Sequence, residues 1–148
     1  MSADPLRAFE DEHKIALRAL ERLEQAALAL RTGAETARHL AVAREVHGVL
    51  STAVRAHNDA EERALFPLLE DDPTVAVFVE EHRVLRGLEQ ELADGLAAAD
   101  GRRVAGTALR IVDLLRAHIE REDHMLFPSA RAALGADGLA EVARRLGG

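Results

Sequence analysis

Two stretches of this chain repeat each other, and the repeat limits its fold more than any other feature. His57-Asn58-Asp59-Ala60-Glu61-Glu62-Arg63-Ala64-Leu65-Phe66-Pro67 matches His118-Ile119-Glu120-Arg121-Glu122-Asp123-His124-Met125-Leu126-Phe127-Pro128, with His, Glu, Leu, Phe and Pro at the same places in both. Upstream of each, Phe9-Glu10-Asp11-Glu12-His13-Lys14 matches Phe78-Val79-Glu80-Glu81-His82-Arg83. All four phenylalanines of the chain fall at matched positions. The chain therefore reads as two helical hairpins, each a Phe-x-x-x-His helix followed by a His-x-x-x-Glu helix.

The local signals agree. Asp4-Pro5 is a helix start, because Asp caps free amides and Pro is preorganised for the first helical position. Leu6, Phe9, His13, Leu17, Leu20 and Leu23 follow as a stripe at three- and four-residue spacing, and Gly33 closes the segment. A second helix is predicted from about Ala34 past Phe66, distorted or ended by Pro67. A third begins at Asp72-Pro73 and runs to about Asp100, where Gly101 supplies the turn residue. A fourth runs from about Arg102 to Phe127 and is closed by Pro128, leaving a short appended helix around Leu139 to Leu146. Connections this short make neighbours antiparallel. The expected fold is all-α: an up-down-up-down four-helix bundle with a short C-terminal helix. It is a single domain over 1–148, with its core at about 4–128 and an extension at 129–148.

Composition narrows the function. With no Trp, no Tyr and four Phe, the core has to come from Ala, Leu and Val, which suits helices. A net charge of −7, with the basic residues spread along the chain, argues against nucleic acid, whose phosphates demand a basic surface. No run approaches the roughly 20 apolar residues that span a bilayer, and no N-terminal stretch resembles a signal peptide. The absence of Cys excludes disulfides and thiolate sites. A cytoplasmic protein that binds neither membrane nor nucleic acid is the expectation.

Residues four apart on a helix project from nearly one face. His57 with Glu61, and His118 with Glu122, can each aim an imidazole and a carboxylate at one spot, while His13 and His82 add one imidazole each from the other helices. Ionised groups in an apolar core cost several kcal/mol unless paired or bound to a cation. Mixed imidazole and carboxylate donors suit iron, manganese or zinc. His13, His57, Glu61, His82, His118 and Glu122 are therefore the candidate metal ligands. Two ions would share Glu61 and Glu122, either with His13 and His57 on one and His82 and His118 on the other, or with the pairs crossed.

Over roughly residues 4 to 128 these motifs resemble the hemerythrin-like, or HHE cation-binding, domains. The resemblance implies a non-haem di-iron centre, two Fe ions bridged by the two carboxylates and an oxo or hydroxo group, with Mn or Zn as substitutes. It also implies a small ligand such as O2. Oxygen carriers of the family place a further histidine one turn after His82, where this chain has Arg86, which cannot ligate. They also use an Asp at the place of Asp123; Glu122 is preferred here because the repeat pairs it with Glu61. The pattern points away from long-lived O2 storage and towards binding or sensing of O2, a related small ligand or iron itself. An enzyme consuming peroxide or nitric oxide is the alternative, and a metal-free helical scaffold is the third reading.

With no partner in the repeat, His39, His47 and His124 read as non-ligands, with His124, Glu62 and Asp123 held in reserve. Glu10-Asp11-Glu12 reads as a solvated face, and Glu80-Glu81 as too poorly aimed on a helix to ligate. The phenylalanines read as packing around the site, with no catalytic role assigned to any residue. A ferritin-type bundle is disfavoured because its Glu-x-x-His order occurs only at Glu10–His13.

Overall fold

The structure is a computed structural model that describes residues 4–147; the outer ends of the expected 1–148 span lie outside the described residues. Helix α1 covers Pro5–Thr32, with the Asp4 carboxylate accepting the Leu6 amide at 3.0 Å and Pro5 in the first turn. It stops at Gly33, whose φ of 76° is open to glycine at little cost and whose amide closes back on the last turn. Next come α2 (Thr36–Val49), a π-helical turn (Leu50–Val54), α3 (Arg55–Ala60) and a second π turn (Glu61–Leu65), which together make one continuous rod. Helix α4 is Thr74–Ala97, α5 is Gly101–Arg121, and a third π turn (Glu122–Leu126) leads into α6 (Phe127–Gly147). Asp72 caps Thr74, and Asp100 caps Arg103.

Short turns reverse the chain between rods, giving the expected bundle. Helix α1 packs on α2 and α5, and α4 packs on α5 and α2. The buried apolar residues form two separate clusters. One contains Ala16, Leu23, Val54, Leu85 and Leu115. The other contains Phe9, Phe66, Phe78, Phe127 and Val142. On every rod the candidate ligand falls between these two sets, so a polar layer separates them. Among the described residues no helix is long and apolar enough to cross a membrane.

Of the two prolines, Pro67 behaves as expected and Pro128 does not. Proline has no amide hydrogen, and its ring crowds the carbonyl one turn back. Here each Phe-Pro is preceded by a π turn in which the Phe amide reaches back five residues, Phe66 to Glu61 and Phe127 to Glu122. The wider turn relieves the crowding. Pro67 then sits in a short 3₁₀ turn, Phe66–Leu69, that ends the rod. Pro128 does not close its helix: helical backbone continues until Gly135 (φ 62°, ψ −170°) reorients it, and resumes to Gly147. The C-terminal segment is thus longer than the short helix expected at Leu139 to Leu146. It returns to α1, with Val142 buried beside Leu6 and Phe9, and Arg131 bonded to Asp4 and Glu10 at 2.7 Å each.

One buried charge breaks the internal symmetry. Glu89 on α4 stands where the matched position of α1 carries Leu20, and it is buried against Arg55 at 3.0 Å with its Oε1 unpartnered. Burial pushes its carboxyl above the usual range despite the Arg55 bond. A raised carboxyl pKa costs stability as pH rises above the unfolded value, because the folded state then has to give up a proton it holds more tightly. Glu89→Leu is therefore expected to raise stability at pH 7 by roughly 1 to 4 kcal/mol, with a smaller gain near pH 5. Denaturant melts at the two pH values check this, and a loss of stability at pH 7 would contradict it.

Candidate metal centre

The two π turns preceding the prolines decide where the carboxylates go. Glu61 and Glu122 are the first residues of those turns, each one helical turn beyond a histidine, and both are 0 % exposed. Single π turns inside helices recur at functional sites because they re-aim side chains. His13 from α1 and His82 from α4 complete the layer, and all four histidines are buried.

The structure brings the six sequence-predicted side chains together as two overlapping groups. His13, His57, Glu61 and Glu122 offer one donor atom each within 4.8 Å of one another, and so do Glu61, His82, His118 and Glu122. Of the two histidine pairings left open by the sequence, this is the uncrossed one. Glu61 presents Oε2 to His57 Nε2 at 3.4 Å and Oε1 to His82 Nε2 at 3.3 Å. Glu122 presents Oε1 to His13 Nε2 at 3.1 Å and Oε2 to His118 Nε2 at 3.4 Å. Each carboxylate therefore turns one oxygen to each group.

The outer nitrogens set the protonation. His13 Nδ1 lies 2.7 Å from Asp123, His57 Nδ1 2.9 Å from Glu12, His82 Nδ1 2.7 Å from Glu62, and His118 Nδ1 2.8 Å from Glu81. Four carboxylates can only accept, so each neutral imidazole carries its proton on Nδ1 and turns a lone pair inward. The interior then collects four Nε2 lone pairs and four carboxylate oxygens. His13 Nε2 sits 3.1 Å from His57 Nε2, with no proton between them in that tautomer. Both oxygens of Glu61 and Glu122, and Nε2 of His82 and His118, have no hydrogen-bond partner. Burial and the adjacent Glu122 push Glu61 well above the usual carboxylate range. Convergent acceptors without donors need a cation. The neighbouring separations of 3.1–3.4 Å suit adjacent ligands on an ion with bonds of about 2.0–2.2 Å. The cluster fits a metal site.

Sequence reading missed the four outer carboxylates. Glu12, read as part of a solvated face, and Glu81, read as badly aimed, hold the Nδ1 atoms of His57 and His118. Glu62 and Asp123, held in reserve as ligands, hold those of His82 and His13. The repeat did carry the signal: Glu12-His13 matches Glu81-His82, and Glu61-Glu62 matches Glu122-Asp123, so each outer acid has a twin. His124 and Arg86 are exposed, while His39 and His47 are half-buried away from the cluster.

Each phenylalanine covers one imidazole. Phe127 stacks on His13 and Phe66 on His82, with Phe9 edge-on to His57 and Phe78 edge-on to His118. These rings pack against the imidazoles, all four of which are buried. Partners beyond the ligands fix ring orientation and ligand basicity. Glu81→Ala is thus expected to weaken metal affinity roughly 10- to 100-fold with helix content unchanged. Competition against a chelator measures this, and wild-type affinity would show that the outer acid does not matter.

A family model described as Hemerythrin HHE cation binding domain matches residues 4–130 of the chain. No curated protein matches it.

Proposed function

The chain belongs to the hemerythrin HHE cation binding domain family, and on that premise we propose that its six buried donors hold two iron ions whose centre binds or senses O2 or a related small ligand. The observation that carries this reading is the placement of Glu61 and Glu122, each with one oxygen turned to each histidine pair. His13 and His57 would hold one ion, and His82 and His118 the other. When bound, such a pair supplies redox-coupled ligand binding at coordination positions the protein leaves free.

The chain's own residues do the rest. Two imidazoles and two carboxylate oxygens per ion complete a four-coordinate shell but leave places free on a six-coordinate ion, which favours iron over zinc for a ligand-binding role. Glu61 and Glu122 supply the negative charge that offsets the cations, and the acids at Nδ1 fix each ring with its Nε2 turned inward. The phenylalanine rings packed on the imidazoles make the surroundings apolar, which strengthens those electrostatic interactions.

Anaerobic loading with ferrous iron followed by optical spectra tests the reading. The expected result is a new near-ultraviolet band on admission of air, and a separate change when nitric oxide, an uncharged diatomic, is added to the anaerobic ferrous protein. A spectrum unmoved by air and by nitric oxide would overturn it.

A further inference from the structure

The two halves match in their donors but differ in what lies beside them. A cavity of about 120 Å³ opens along the α1 side of the centre, walled in part by the imidazoles of His13, His57 and His118. Most of its remaining wall is aliphatic. Ala16 and Ala53 line it, whereas the matched positions of the other half carry Leu85 and Leu114, which pack into the main core. Asn58, buried beside His57, also lines it, and its matched position carries Ile119.

The backbone is unequal at the same place. The π turns at Glu61–Leu65 and Glu122–Leu126 are twins, but the turn at Leu50–Val54 has none, because the matched stretch lies within the α-helix Gly101–Arg121. Val54 and Ala53 of that unmatched turn stand in the cavity wall. Ser51 and Thr52 hold it in shape by hydrogen-bonding the carbonyls of His47 and Gly48 one turn back. A widened turn, two alanines in place of leucines and an amide in place of an isoleucine all fall on one side of the centre.

We infer that this cavity is the chamber through which a small uncharged guest reaches the centre, and that Asn58 selects a guest with one polar end. The inference deepens the reading above by naming the ligand class and the side of approach. It rests on that reading only for what the guest meets at the inner wall. Size sets the class: an apolar cavity of about 150 Å³ holds benzene or xenon, so this one takes a molecule of about five non-hydrogen atoms. Charge is excluded because an ion would leave water for aliphatic walls. Apart from the imidazoles of the centre, the Asn58 amide is the polar group free to meet a guest, since the Glu12 carboxylate in the same wall is engaged by His57.

Xenon and tert-butanol are suitable probes, the first for the space and the second for the amide, read by NMR on the metal-loaded and metal-free chain. Xenon is expected to shift the methyl signals of Ala16 and Ala53. Ala16→Leu and Ala53→Leu should each weaken its association roughly tenfold or more, with Ala16→Val intermediate. Asn58→Leu should leave xenon binding within about twofold yet weaken tert-butanol roughly fivefold, the loss of one hydrogen bond. Circular dichroism shows whether each variant is folded. Xenon shifts elsewhere, or equal binding by wild type and both folded leucine variants, would overturn the inference. A chain that takes xenon here but no metal would overturn the metal reading alone, and one that holds metal but excludes xenon would overturn the chamber alone.

Discussion

Alanine in place of His57 or His118 is expected to strip most of the metal from the chain and to lower its melting temperature sharply. Each imidazole supplies one of only two nitrogens to its group, and each is followed one turn later by a shared carboxylate. Losing the nitrogen leaves Glu61 and Glu122 buried beside a half-held cation, so the neighbouring ion weakens as well. A ligand present at a thousand times its dissociation constant adds about 4 kcal/mol to folding, and that contribution disappears with the site. Metal analysis and thermal melts in the presence of iron read both effects. Full metal content together with a wild-type melting temperature in both variants would show that the ligand set is wrong.

Glu61→Gln is expected to act in opposite directions with and without metal. In the metal-loaded protein it removes one oxygen from the donor cluster and should cost both metal and stability. In the metal-free protein it removes a carboxyl that burial and Glu122 hold well above its ordinary range, and should raise stability by roughly 1 to 3 kcal/mol at pH 7. The pH dependence follows with the same sign. A raised folded-state pKa means that the metal-free wild type loses stability as pH climbs above about 4.5, the unfolded value. Metal binding requires deprotonated ligands and strengthens as pH rises. Denaturant melts from pH 5 to 8 should therefore slope downward for the metal-free wild type and upward under limiting metal, with the downward slope reduced in Glu61→Gln. Parallel slopes would contradict the assignment of Glu61 to the centre.

The fold and the centre were legible for different reasons. Helix starts at Asp4-Pro5 and Asp72-Pro73 and the stop at Gly33 are local chemistry, and the structure places helix boundaries within a few residues of them. The convergence of His13, His57, Glu61, His82, His118 and Glu122 was legible because the repeat set matched residues at helical spacing. Pro128 was misjudged because the π turn that relieves its ring is a backbone choice with no residue signature of its own. Glu12 and Glu81 were passed over because a residue adjacent to His13 or His82 on its helix points away from the cluster. From there it can reach only the back of an imidazole on a neighbouring helix, and that contact depends on helix packing. Glu89 and the cavity beside Ala16 and Ala53 lie where the halves differ, and a reading built on their sameness had no reason to stop there.

Native mass spectrometry of the anaerobically iron-loaded chain tests the central claim most directly, because it counts ions per folded molecule. Two ions are expected on the wild type, one for each group of four donors, with occupancy collapsing in the Glu61→Ala/Glu122→Ala double variant. A wild type that carries one ion or none, or a double variant that still carries two, would contradict a centre built on two shared carboxylates.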